Sequence, residues 1–63
     1  MLIETVAEKL AYRLLAETGD AVIGDLQLAA RAANRIGKHE MAAALIEIAH
    51  AAERLWAAGW GVR

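Results

Sequence analysis

Apolar residues recur every three or four positions along nearly the whole chain, and little but glycine interrupts the rhythm. Near the N-terminus, Ile3, Val6, Ala7, Leu10, Ala11 and Leu14 keep the i, i+3, i+4, i+7 spacing of one helix face. Further on, Met41, Leu45, Ile48, Ala49, Ala52, Leu55 and Trp56 do the same. This period does not fit the strict alternation of a half-buried strand, so the chain has to be built from helices. Composition agrees where it matters: a quarter of the residues are alanine, the best helix former, and proline is absent.

The glycines set the expected boundaries. Helix 1 is predicted from Leu2 to Thr18, with Gly19 as its C-cap. The segment "GDAVIGD" then reads as a connector, with Val22 and Ile23 plugging one end of the core and Asp25 as N-cap of the next helix. That second helix spans Leu26 to Ile36, buries Leu26, Ala29, Ala33 and Ile36, and stops at Gly37. The third and longest runs from Lys38 or His39 to Ala58, and Gly59 closes it before the tail "WGVR". The predicted fold is all-α: a three-helix chain, two helices longer and one shorter, forming one small domain over residues 1–63.

A chain of 63 residues buries only about 60% of the surface that it exposes when unfolded. It has no cysteine, so neither a disulfide nor a thiolate-bound metal can reinforce it. Homo-oligomerisation is the reinforcement that remains. The third helix is apolar or alanine over about half its circumference, since Ala42, Ile46 and Ala57 flank its main stripe. Two short helices cannot cover that surface. A second copy can, and a dimeric helical bundle is the expected assembly.

Several function classes fall away. The net charge of −1 argues against a general nucleic-acid binder, which needs a basic excess. Glu4 and Glu8 stand where a signal peptide needs a basic start and an unbroken apolar core, and charges break every long apolar run, so a cytoplasmic protein with no membrane span is expected. Serine and cysteine are absent, which removes nucleophilic triads, and "TGDAVIGD" lacks the lysine and glycine spacing of a phosphate-binding loop. No enzyme activity and no cofactor are expected.

One spacing could carry metal chemistry. Glu47 and His50 form Glu-x-x-His, the pattern by which di-iron bundles present two ligands from one helix. With Met41, Leu45, Ile48 and Ala52 turned inward, both side chains point outward beside Glu40 and Arg54. A solvated surface pair is therefore the expectation. A di-metal carboxylate site gathered across a dimer is the alternative.

The stretch "LQLAARAANRIGKHEMAAALIEIA" resembles a single tetratricopeptide repeat, a helix–turn–helix unit of about 34 residues. Leu26, Ala29, Ala30, Ala33, Gly37, Ala42, Ile46 and Ala49 occupy that repeat's large and small positions, although its aromatic positions and following proline are unmatched. The resemblance implies a close antiparallel hairpin with Gly37 in the turn and Ala33 against Ala42. The same stretch also resembles a DNA-binding helix-turn-helix, through Ala33 and Gly37 four residues apart. Its recognition helix would be "HEMAAALIE", which offers two glutamates and almost nothing to read bases with. Lys38 also stands where that motif wants an apolar residue.

Two features point to a protein partner. Trp56 and Trp60 bring large area with a polar handle, the composition of interface hot spots, with Trp60 the stronger contact candidate; the alternative is that they cap the core beside Leu55 and Leu15. Arg31, Arg35 and Lys38 form a basic cluster near the end of helix 2, where a helix terminus favours cations and where a polar rim could orient a partner. The expected function is a small interaction module (a regulator, inhibitor or assembly adaptor) acting as a homo-oligomer. The two alternatives are the di-metal protein and a helix-turn-helix DNA-binding regulator.

Overall fold

The computed structural model describes residues 5–59, which form three α-helices: α1 (Val6–Thr18), α2 (Ala21–Arg35) and α3 (His39–Ala57). The all-α prediction and the count of three hold; the boundaries and buried faces differ in instructive ways.

Helix α1 begins at Val6, not at Leu2. Thr5, expected inside the helix, has extended backbone (φ −77°, ψ 165°) and caps it. Its hydroxyl accepts from the Glu8 N–H at 3.1 Å, and the Glu8 carboxylate accepts from the Thr5 N–H at 3.0 Å. This reciprocal capping box satisfies two donors that have no partner within the helix. Leu2, Ile3 and Glu4 lie outside the described residues.

The segment "GDAVIGD" is not a connector. Only Gly19 and Asp20 separate α1 from α2, and Val22, Ile23, Gly24 and Asp25 are helical. Gly19 makes the short reversal feasible: at φ +89° it occupies a region that other residues avoid, and its N–H donates to the Leu15 carbonyl at 2.9 Å. Val22 is buried as expected, but as the first core residue of α2, and Asp25 sits inside the helix that it was predicted to cap. Burial of the i, i+4 pair Val22 and Leu26 outweighs the propensity cost of Gly24, about 1 kcal/mol. Starting the helix earlier also corrects its buried face, which is Val22, Leu26, Ala30 and Ala33; Ala29 and Ile36 are exposed.

The turn between α2 and α3 is a Schellman motif. Gly37, at φ +84°, donates its N–H to the Asn34 carbonyl at 3.0 Å, and the Lys38 N–H reaches the Ala33 carbonyl at 2.8 Å. Across the same turn His39 Nδ1 lies 2.8 Å from Asn34 Oδ1. Ala30, Ala33 and Ala42 bury one another beside this turn, giving the close hairpin with Ala33 near Ala42.

Helix α3 holds the molecule together. Both α1 and α2 lie along it, and they touch each other only sparingly. The Cα radius of gyration of 12.0 Å exceeds the value of about 10.6 Å for a compact chain of this length, as expected when two helices flank a third without closing on each other. Ala49, Ala51 and Ala52 pack with Ala11, Leu15, Val22 and Leu26 in the main core. Met41 and Trp56, predicted on the buried stripe, are exposed, and Leu45, Ile48 and Leu55 are half-buried. Alanine on the contact line lets the helix axes approach closely, and that approach displaces the longer side chains to the flanks. Val6 and Leu10 of α1 are likewise exposed, while Leu15 takes the buried place expected of Leu14. Among the described residues no helix is long and apolar enough to cross a membrane.

Candidate functional site

Seven of the ten buried apolar residues among those described are alanine, with Leu15, Val22 and Leu26 the others, and several large apolar side chains sit on the outside. Leu15 is the single large side chain that is fully buried among the described residues. Outside lie Val6, Leu28 and Ile36, which are 74%, 61% and 68% exposed, with Met41, Ile46 and Trp56 also open to solvent. No polar or charged residue is buried among the described residues, and none there lacks a needed hydrogen bond.

Because α3 lies between two helices, it has two seams, and they differ chemically. The α1–α3 seam is an apolar groove of about 160 Å³, lined by Val6, Ala7, Leu10, Ala44 and Ile48, with Glu47 as its one charged residue. The α2–α3 seam is a larger cleft of about 290 Å³, with Ala30 and Ile46 beneath Gln27, Arg31, Asn34 and His50. Gln27 Nε2 reaches Glu53 Oε2 at 3.5 Å, a weak polar tie between the same two helices.

This geometry separates the metal candidates. Glu47 and His50 are both exposed, as the helical winding predicted. They also line different seams, Glu47 facing the groove beside α1 and His50 the cleft beside α2. Among the described residues, no group of three or more histidines, aspartates or glutamates is placed to hold a metal ion.

The predicted partner-binding residues are scattered. Arg31 lines the α2–α3 cleft, whereas Arg35 and Lys38 are exposed at the hairpin end. Trp56 lies exposed in the last turn of α3 and takes part in interactions within the chain. Trp60 falls outside the described residues. Leu28 is the residue that the sequence reading overlooked. It lies two positions from buried Leu26, or about 200° around the helix, so it faces outward. That signal is already present in the sequence, where Leu26 is expected to be buried.

Comparison with known protein families, curated proteins and solved structures finds no match.

Proposed function

We propose that this chain is a small helical protein–protein interaction module, a regulator, inhibitor or assembly adaptor, that works as a homo-oligomer, most simply a dimer. One observation carries the reading: seven of the ten buried apolar residues among those described are alanine, while Val6, Leu28, Ile36 and Met41 stay exposed. Burying a valine, leucine, isoleucine or methionine side chain contributes about 1.5–3 kcal/mol, so the single chain leaves much of its available stabilisation unused. Alanine offers only one methyl group for the same purpose. A second copy covering part of that surface recovers what the monomer forgoes. A cytoplasmic setting fits a chain without cysteine.

A further protein partner would use Trp56 as an apolar anchor and Arg31, Arg35 and Lys38 as an orienting rim, with Trp60, the other expected anchor, outside the described residues. The placement of α3 disfavours a DNA-reading role, because the helix that would enter a groove is flanked on both sides by α1 and α2. Size-exclusion chromatography with light scattering at micromolar concentration tests the oligomer. The expected mass is at least twice the 6.8 kDa of one chain. A monomer mass with full helical circular dichroism overturns the reading.

A further inference from the structure

We propose that a second copy of this chain docks antiparallel along the outer face of α2, with the two-fold axis at Leu28. This inference rests on the homo-oligomer reading and assigns it a surface. At about 100° per residue, positions two away from a buried residue point outward. Gly24 and Leu28 flank buried Leu26 in this way, Ala32 follows Ala30, and Arg35 follows Ala33. Arg31, two before Ala33, lies on the same face, so Leu28 sits between the small residues Gly24 and Ala32 and beside the charge of Arg31.

Charge fixes the orientation. Asp20 and Asp25 lie in the N-terminal half of the α2 region, and Arg31 and Arg35 in the C-terminal half. None of the four has an ion-pair partner among the described residues, where Arg13 and Glu17 form the one such contact at 3.7 Å. Asp25 precedes Leu28 by three residues and Arg31 follows it by three. Antiparallel pairing about Leu28 brings the Asp25 of one copy level with the Arg31 of the other, twice by symmetry. It also brings Arg35 level with Ala21, next to Asp20. Parallel pairing would set acid beside acid and base beside base. The helix dipoles favour the antiparallel arrangement as well.

Gly24 supports the same face independently. It is an interior helical residue whose backbone is not in the left-handed region, and a Cβ built on it meets nothing within 4 Å. No turn and no packing within the described chain calls for glycine there, yet glycine costs a helix about 1 kcal/mol relative to alanine. A second helix backbone approaching Gly24 supplies the reason: with the axis at Leu28, Gly24 of one copy lies level with Ala32 of the other, and each Leu28 has small neighbours to pack against. The α1–α3 groove offers no comparable register, since Glu47 is its one charged residue.

The chain has no cysteine, which permits a direct test by introducing one at a time. Wild-type mass is measured first by light scattering. Given a dimer, Leu28→Cys should form a disulfide-linked dimer on mild oxidation, because residues on a two-fold axis between close helices fall within disulfide reach. A mixture of Gly24→Cys and Ala32→Cys chains should yield the mixed disulfide in large excess. Leu28→Lys should halve the mass and leave the helical circular dichroism unchanged. A dimer in which Leu28→Cys stays reduced and Leu28→Lys keeps the dimer mass overturns this interface and leaves the homo-oligomer reading standing. Only like-with-like disulfides from the mixture overturn the antiparallel orientation. A monomeric wild type removes both proposals together.

Discussion

Thr5 and Glu8 each satisfy the other's backbone N–H, at 3.1 and 3.0 Å, and the pair fixes where α1 begins. The Thr-x-x-Glu pattern is a readable start signal. Apolar spacing continuing through Ile3 and Leu2 obscured it, because periodicity alone cannot mark the residue at which a helix starts.

Thr5→Ala should therefore destabilise the protein by about 1 kcal/mol, the usual cost of losing an N-cap. Glu8→Ala should cost less, since it removes only the return bond. Thermal or urea melts of the two variants and their double mutant check this. The combined loss should fall short of the sum, because one motif is broken twice.

Leu15 and Leu45 exchange the importance that their sequence positions suggest. Leu45 is central in the stripe of α3 yet only half-buried, whereas Leu15 is 1% exposed among Ala11, Ala52 and their neighbours. Leu15→Ala should cost about 2–5 kcal/mol by leaving a cavity, much of the stability of so small a domain. Leu45→Ala should cost clearly less. Denaturant titration of both variants decides the order; equal losses would place Leu45 in the core after all.

The number of helices, the glycine stops after α1 and α2, and the outward direction of Glu47 and His50 were legible from spacing alone. The start of α2 was not, because two glycines and two aspartates carry strong turn chemistry, and only the burial of Val22 and Leu26 against other helices decides otherwise. The buried faces were misjudged for a related reason. Ala49 and Ala52 are inside as their spacing predicts, but Met41 and Trp56, expected beside them, lie outside, and Ala42, expected on the flank, is buried. Sequence periodicity gives the direction of an apolar face but not how closely two helix axes approach.

Close approach makes the alanine contacts intolerant of bulk. Ala42 is buried against Ala30 and Ala33 beside the Schellman turn. Ala42→Leu adds apolar volume and keeps good helix propensity, yet it should destabilise by about 1–3 kcal/mol because the hairpin must open to admit it. Ala43→Leu, on an exposed neighbouring position, is the control and should change stability by no more than about 0.5 kcal/mol. Comparable melts for the two variants would mean that the α2–α3 contact near the turn is looser than the buried alanines indicate.

Glu47 and His50 provide the sharpest test of whether a sequence motif acts as a site. They share the Glu-x-x-His spacing but open onto different seams, one beside α1 and the other beside α2. Both side chains are exposed, so replacing the pair with alanine should shift stability by no more than about 0.5 kcal/mol. Added iron or zinc should leave the melting temperature of wild type and double mutant alike unchanged, since a metal bound only by the folded state would raise it. Metal analysis of protein purified without a histidine tag should find less than one ion per two chains. A metal-dependent rise in melting temperature that the double mutant abolishes would instead show that assembly gathers two such pairs into one site.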